Sequence, residues 1–171
     1  MPKIKFSKKI LNLPKIFTNN DFVKIFTQIH KAGGKAAFVG GFVRNILLNE
    51  NIENKNQFFD LATDLRPKQI IKIFGNKVKY LDEGLKHGTV IISFENLVFE
   101  ITSLRKDLLS RGRYSQVKFQ SNWGEDAARR DLTINSIYID LNGNIFDPYD
   151  GVRDLLIGKV EFIGNINHRI K

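Results

Sequence analysis

Apolar residues recur at helical spacing soon after the start of the chain. They are Phe22, Ile25, Phe26 and Ile29. Their spacing of three or four positions predicts a helix, which Asn20 or Asp21 caps at its start and Gly33-Gly34 ends. Residues 1–19 show no comparable pattern and are predicted to form a loose N-terminal lead-in.

Short apolar runs and helical patterns alternate in the next part of the chain. Strands are predicted at 35–39, 58–62 and 78–80, and helices at 42–48 and 67–74. Pro67 suits the first turn of its helix, because proline lacks the N–H that this position leaves unpaired. The polar stretch 49–57 is predicted to be a loop.

Two pairs of alternating segments predict β-hairpins later in the chain. They are 89–94 with 97–101, around Glu95-Asn96, and 136–141 with 145–146, around Asn142-Gly143. Other predictions are an irregular basic stretch at 103–128, a helix start at 131–134 and a last ordered segment at 155–160. Early alternation of strands and helices, followed by antiparallel pairs, indicates an α/β or α+β fold with a mixed sheet.

The length and composition are those of one globular domain. The chain has 171 residues, of which 42% are hydrophobic, and can bury a core of its own. It contains no cysteine, which excludes disulfides, cysteine-bound zinc, iron–sulfur clusters and a thiol nucleophile. No segment approaches the ~20 apolar residues of a membrane span, and the basic N-terminus lacks the apolar run of a signal peptide. A soluble, cytoplasmic protein without membrane contact is therefore expected.

The charge favours a partner that carries phosphates. The formal net charge is +9, with a pI near 9.8. A solvated, lysine-rich surface would give the same total, but here the basic residues cluster with the aromatic residues Tyr114 and Phe119. The clustered residues are Arg105, Lys106, Arg111, Arg113, Lys118, Arg129 and Arg130. Basic side chains mixed with aromatic rings are typical of RNA-binding surfaces.

A pair of glycines follows the predicted strand at 35–39. Gly40 and Gly41 let backbone N–H groups approach a phosphate closely, and Arg44, one turn into the next helix, can add a charged contact. A tight turn without any ligand would use the same residues. Both interpretations of this segment stay open on the residues alone.

Two carboxylates lie on predicted strands, and two arginines follow later. Asp60 and Glu100 are placed where a carboxylate can hold Mg²⁺ against the phosphates of a nucleotide, although a single one is more often a surface or capping residue. Arg129 and Arg130 can grip a triphosphate while Asp131 holds an arginine in place. The alternative for this last segment is an amphipathic helix with an ordinary salt bridge.

Five sequence blocks occur in order along the chain: VGGFVRN at 39–45, FFDLATDLRP at 58–67, LKHGTV at 85–90, FEITSLRKD at 99–107 and RRDLTINSIYID at 129–140. Together they resemble the head of the class II RNA nucleotidyltransferases, the family of bacterial tRNA CCA-adding enzymes and poly(A) polymerases. The resemblance extends from about residue 20 to residue 169. It divides the chain into the lead-in at 1–19, a head domain at 20–145 and the truncated start of the family's neck region at 146–171.

The resemblance implies a nucleotidyltransferase head fold with a mixed, largely antiparallel sheet flanked by helices. It implies transfer of AMP or CMP from ATP or CTP to an RNA 3′-hydroxyl, such as the tRNA 3′ end, with Mg²⁺ as cofactor. By position, Asp60 and Glu100 would be the catalytic carboxylates and metal ligands. The nucleotide would be held by Gly40, Gly41, Arg44, Arg129 and Arg130.

The sequence departs from the family pattern in three places. Phe58 stands where the family has the first aspartate of an Asp-x-Asp metal motif, and Asn45 stands where it usually has aspartate. The sequence also stops at Lys171, before the Glu-Asp-x-x-Arg motif with which the family selects the base. We therefore expect impaired activity of the chain alone. A pseudoenzyme, half of a split enzyme with a separately encoded C-terminal fragment, a truncated chain, and a non-catalytic RNA- or nucleotide-binding remnant all stay open, as does CCA addition against A-tailing.

Overall fold

The structure is a computed structural model that describes residues 8–10, 14–50, 58–79, 82–94, 97–108 and 116–164. Its strands are β1 (Lys8–Lys9), β2 (Ala36–Phe38), β3 (Phe58–Thr63), β4 (Val78–Lys79), β5 (Thr89–Phe94), β6 (Leu97–Ser103), β7 (Arg105–Leu108), β8 (Gln116–Phe119), β9 (Tyr138–Ile139) and β10 (Asn144–Phe146). Its α-helices are α1 (Asn20–Lys31), α2 (Gly41–Leu47), α3 (Pro67–Phe74), α4 (Asp82–Lys86), α5 (Trp123–Ala128) and α6 (Gly151–Leu156). Short 3₁₀ helices span Lys15–Thr18, Gly75–Lys77 and Thr133–Asn135. Within these residues, no helix is long and apolar enough to cross a membrane.

A mixed sheet organises the fold. Its strands lie in the order β1, β10, β9, β2, β3, β6, β5 and β4. β3 and β6 run parallel, and the other neighbouring strands described in this sheet are antiparallel. β7 and β8 form a separate antiparallel pair. The predicted mixed, largely antiparallel sheet flanked by helices is confirmed.

The central strands present different side chains on their two faces, because successive residues of a strand point in opposite directions. On one face, Phe38, Phe59 and Phe99 surround Phe22 of α1, with ring centroids 4.8 to 5.4 Å from the Phe22 ring. On the other face, a smaller core forms around Trp123 of α5. Asp60 of β3 and Glu100 and Thr102 of β6 lie on this second face, beside α5.

Most of the predicted elements are present. The α3 helix and the β5–β6 and β9–β10 pairs lie where the patterns placed them, within a few residues. The α1 helix is capped one residue earlier than predicted, by Asn19, whose side chain accepts a hydrogen bond from the Asp21 backbone N at 2.8 Å. Residues 51–57 of the predicted loop and the turn Glu95-Asn96 lie outside the described residues.

Two predictions of irregular chain were wrong. The lead-in contributes β1, which pairs with β10, and the buried Phe17, which packs in the aromatic core. In the stretch 103–128, the described residues form β7, β8 and α5 where irregular chain was predicted. The helix start predicted at 131–134 corresponds to the short 3₁₀ helix Thr133–Asn135, and the α6 helix ends at Leu156, within the predicted last segment at 155–160.

The segment after β10 packs on the preceding part of the chain. The Thr133 hydroxyl donates a hydrogen bond to Asp154 Oδ2 at 2.7 Å, and both side chains are buried. A Cβ on Gly151 would lie 2.2 Å from the Thr133 backbone O, so only glycine allows this approach. The division between head and neck near residue 145 stays a prediction.

Candidate functional site

Asp60 and Glu100 occupy facing positions on the parallel strands β3 and β6, and we call them the acid pair. On β3, the neighbours Phe59 and Leu61 are completely buried in the core, so Asp60 projects from the opposite face. Neighbouring strands lie ~4.8 Å apart, which places the two carboxylates side by side. The structure thus brings together two residues that are forty positions apart in the sequence.

Burial raises the pKa of both carboxyl groups above their usual values. For Asp60, burial raises the pKa and the positive charge of Arg130 lowers it in part. For Glu100, burial raises the pKa and the negative charge of Asp60 raises it further. Two neighbouring carboxylates repel each other, and a bound cation relieves this repulsion. The acid pair therefore has the electrostatics of a cation-binding site.

The turn between β2 and α2 lies directly against the acid pair. The Val39 backbone N donates a hydrogen bond to the Asp60 backbone O at 3.1 Å. Gly40 has a φ of +75°, and a Cβ at this position would lie 3.1 Å from Asp60 Oδ2. Glycine is required here by the backbone conformation and by the nearness of the carboxylate.

Three arginines, Arg105, Arg129 and Arg130, line the same cleft as the acid pair, and we call them the arginine wall. The cleft has a volume of about 250 Å³. Its remaining lining residues are Val39, Leu61, Thr89 and Thr102. Negative and positive side chains therefore meet in one small space, as a site for a phosphate and its metal requires.

The arginine wall is supported from behind by the buried carboxylate of Asp126. Arg129 Nε donates to Asp126 Oδ1 at 2.9 Å, and Arg130 Nη2 lies 3.5 Å from Asp126 Oδ2. Burial disfavours the charged form of Arg130, but Tyr138 and Asp126 outweigh this, and the pKa of Arg130 is raised. Asp126 accepts from both arginines, and the support of an arginine by Asp131 stays a prediction.

Arg105 reaches the cleft from the start of β7. Its Nη1 donates to the His87 backbone O, and its Nε lies 3.3 Å from Asp107 Oδ1, an ion-pair distance without hydrogen-bond alignment. Burial and the neighbouring charge of Arg129 lower the pKa of Arg105 below its usual value. Such a shift leaves an arginine charged at neutral pH, so all three wall residues are cations.

Gly41 and Arg44 do not line this cleft. Arg44 Nη1 donates to the Asn135 side chain, and Arg44 Nη2 lies 3.6 Å from the position of a Cβ on Gly41. The structure therefore places Gly40 beside the acid pair but turns Arg44 towards the 3₁₀ helix at 133–135. A nucleotide contact of Gly41 and Arg44 stays a prediction.

Phe58 lies on the same face of β3 as Asp60 and is 65% exposed. Its partner across the parallel pair is Val98, so an apolar pair precedes the acid pair along the two strands. In the described residues, no group of three or more His, Asp or Glu side chains is arranged to hold a metal. The two carboxylates of the acid pair fit one Mg²⁺, which commonly takes one or two carboxylates and fills its other positions with water and phosphate oxygens.

Several residues of the site could not be identified from the sequence. Thr89 and Thr102 line the cleft, and their hydroxyl oxygens lie 3.1 Å apart in a hydrogen bond across β5 and β6. The sequence places Arg105 in a basic cluster but gives it no role in the site. Asp126 and Tyr138 cannot be recognised as site residues from the sequence. Asp126 resembles a surface acid of an amphipathic helix, and Tyr138 resembles an ordinary strand residue.

A larger hollow of about 540 Å³ lies away from these groups, between the C-terminal part of α1 and the β9–β10 turn. Its lining includes Phe26, His30 and Leu141, together with Asp140. The Asp140 carboxylate accepts hydrogen bonds from Asn142 and Asn144 within its own turn. The concentration of opposite charges identifies the smaller cleft as the candidate site.

Comparison with known proteins places this geometry in a family. Residues 36–161 match the Poly A polymerase head domain family. The chain belongs to this family. It is 39% identical over 163 residues to a CCA-adding enzyme of Lactobacillus johnsonii, covering 94% of this chain and 39% of that protein. The chain thus spans about two fifths of the length of the curated relatives it matches.

Solved structures agree with this assignment. The CCA-adding enzyme of Bacillus stearothermophilus in complex with CTP superposes with a TM-score of 0.73 at 32% identity, covering 86% of this chain and 34% of that one. A tRNA nucleotidyltransferase complexed with a primer tRNA and an incoming ATP analog superposes with a TM-score of 0.59 at 25% identity. The match covers 77% of this chain and 36% of that one. The fold is that of a class II nucleotidyltransferase head.

Proposed function

We propose that the cleft binds the triphosphate of ATP or CTP and that the chain is the nucleotidyl-transfer head of a tRNA nucleotidyltransferase. The observation that carries the proposal is the meeting of the acid pair and the arginine wall in one cleft. The named relatives support it, since they are CCA-adding enzymes and two of the solved structures contain CTP or an ATP analog with primer tRNA.

The reaction proposed is the transfer of AMP or CMP to an RNA 3′-hydroxyl. The 3′-hydroxyl releases its proton to solvent and its oxygen forms a bond to the α-phosphorus. The bond from this phosphorus to the bridging oxygen of the β-phosphate breaks, and pyrophosphate leaves. Asp60 and Glu100 would hold Mg²⁺, which when bound supplies charge neutralisation at the reacting phosphate. The arginine wall would neutralise the negative charge of the triphosphate, because Arg105, Arg129 and Arg130 can donate charge-assisted hydrogen bonds to its oxygens.

Phe58 is expected to slow this reaction. The acid pair offers two carboxylates, whereas a two-metal centre needs enough ligands to hold two cations about 4 Å apart. A phenylalanine ring provides no ligand atom at the position where the family has aspartate. We therefore propose that the chain holds one cation well and a second one poorly, with a correspondingly low transfer rate.

A second candidate function is nucleotide or RNA binding without catalysis. The exposed Phe58 favours it, because an aromatic ring beside a phosphate site can stack on a base, a contact worth roughly 1–3 kcal/mol. The net charge of +9 would add affinity for RNA that does not depend on sequence. Under this alternative the arginine wall is functional and the acid pair is an inherited remnant.

One experiment separates the two functions. The purified chain is incubated with Mg²⁺, α-labelled ATP or CTP and tRNA lacking its 3′ terminal CCA, beside a double variant carrying Asp60→Asn and Glu100→Gln. Label that enters the tRNA only with the intact acid pair supports transfer. Absence of label, together with ATP binding that Arg129→Gln and Arg130→Gln weaken, supports binding alone. A chain that does not label tRNA and binds neither ATP nor RNA would contradict both functions.

A further inference from the structure

The Asp126 carboxylate lies behind the cleft and does not line it, but its hydrogen bonds reach all three wall residues. Only 1% of its side chain is exposed. Asp126 Oδ1 accepts from Arg129 Nε at 2.9 Å and from the Arg105 backbone N at 3.2 Å. Asp126 Oδ2 lies 3.5 Å from Arg130 Nη2. A single buried carboxylate thus contacts three separate residues of the site.

Tyr138 completes this arrangement. Its hydroxyl donates to Asp126 Oδ2 at 2.7 Å and accepts from Arg130 Nε at 3.0 Å. The Arg130 guanidinium also lies over the Tyr138 ring, 5.2 Å from the centroid, and Nη1 donates to the Asn135 backbone O at 3.3 Å. The plane of this guanidinium is therefore fixed by contacts at several of its atoms.

We propose that Asp126 is a positioning residue that holds the arginine wall in the geometry needed to bind a triphosphate. The identity of the ligand rests on the function proposed above, while the positioning itself rests on the contacts of Asp126. Arg105, Arg129 and Arg130 repel one another, and an arginine side chain has many rotamers. The buried carboxylate opposes the repulsion, selects one rotamer for Arg129 and for Arg130, and holds the backbone of Arg105 beside them. The ligand therefore meets donors that are already in place.

A simpler role for Asp126 predicts the opposite change in binding. If Asp126 only neutralised the wall, its removal would leave more positive charge and would strengthen the binding of an anion. If it positions the arginines, its removal weakens binding although the site has gained positive charge. The direction of the change in affinity therefore distinguishes the two roles.

The test compares Asp126→Asn with Glu125→Gln, two substitutions that remove one negative charge each from α5. Glu125 pairs with Lys106 at 3.5 Å on the surface and does not line the cleft. Inorganic tripolyphosphate is the probe, and calorimetry measures its affinity. We expect affinity to fall roughly 10–100-fold in Asp126→Asn, as for residues that orient metal ligands, and to stay equal or rise slightly in Glu125→Gln. An Asp126→Asn protein that binds as tightly as Glu125→Gln would overturn the proposal.

A second variant and a second measurement cover the case in which Asp126→Asn does not fold. Tyr138→Phe keeps Asp126 and removes the hydroxyl that accepts from Arg130, so it should weaken tripolyphosphate binding by a smaller factor. The Nε–H signals of Arg129 and Arg130 in NMR spectra report the positioning without any ligand. Both should be protected from exchange in the unmodified chain, and the Arg130 signal should lose protection in Tyr138→Phe. Unprotected signals in the unmodified chain would refute positioning, whereas protected signals without tripolyphosphate binding would contradict the proposed function instead.

Discussion

Asp60 and Glu100 are direct partners in the register of two parallel strands, so their carboxylates lie side by side on one face of the sheet. Burial, and for Glu100 the charge of Asp60, raises both pKa values. The folded state then binds protons more tightly than the unfolded state does. The stability of the metal-free protein is therefore expected to fall as pH rises from the usual value of each group through its raised value.

Asp60→Asn should accordingly raise the melting temperature at neutral pH, measured in EDTA. The gain should shrink as the pH approaches 3.8, the usual pKa of aspartic acid. Asp60 of the unmodified protein then carries less charge in both the folded and the unfolded state. A substitution that lowers the melting temperature at neutral pH would mean that the interaction of Asp60 with Arg130 outweighs the cost of burying the charge.

Phe58→Asp should increase the affinity for Mg²⁺ in the presence of ATP, because it adds a carboxylate on the face of β3 that carries Asp60. Phe58→Asn is the matched control, since it removes the ring and adds no charge. Calorimetry should show tighter binding, and a second metal equivalent, in the aspartate variant alone. Equal binding by the two variants would show that residue 58 is not a ligand position in this chain.

Phe59→Ala should lower the free energy of unfolding by about 3–5 kcal/mol, because it removes a completely buried ring from the aromatic core. Phe58→Ala, one residue earlier, should change it by less than about 0.5 kcal/mol, because that ring is mostly exposed. Chemical denaturation measures both. A large decrease in Phe58→Ala would indicate that its ring packs against another part of the protein.

Gly40→Ala should weaken metal binding as well as stability. It places a Cβ 3.1 Å from Asp60 Oδ2 and forces a positive φ on alanine, a strain of about 1–3 kcal/mol. Gly33→Ala is the control, since Gly33 also has a positive φ but no atom near its Cβ position. Both variants should lose stability, and only Gly40→Ala should lose affinity for Mn²⁺. Equal affinities would mean that Asp60 can move aside.

Arg129→Gln should reduce the salt dependence of RNA binding. The slope of log affinity against log salt should fall by about 0.7–0.9, which is the contribution of one neutralised phosphate. Lys72→Gln on α3, which packs on the opposite face of the sheet, should leave the slope unchanged. Fluorescence titrations of a labelled single-stranded RNA at several salt concentrations test both. Equal slopes in all three proteins would place the RNA elsewhere on the surface.

The acid pair could be predicted from the sequence because each member lies in a predicted strand, and the resemblance aligned both. The support of the arginine wall could not. Asp126 is buried among Arg129, Arg130 and Tyr138, which donate hydrogen bonds to its carboxylate. A single acidic residue in a short helix gives no sign of this. The β1 and β7 strands were not predicted from the sequence for a related reason. Polar strands that pair at an edge show little apolar alternation.

Residues 123–138 contain Asp126, Arg129, Arg130 and Tyr138. The acid pair instead joins two neighbouring strands whose residues are forty positions apart in the sequence. Apart from Arg105, the two halves of the cleft therefore come from separate parts of the chain. A lineage can lose a carboxylate at position 58 while selection for recognition of polyanions keeps the arginines aligned. For protein engineering, the same separation offers two sets of positions to substitute, one that changes cation binding and one that changes anion affinity.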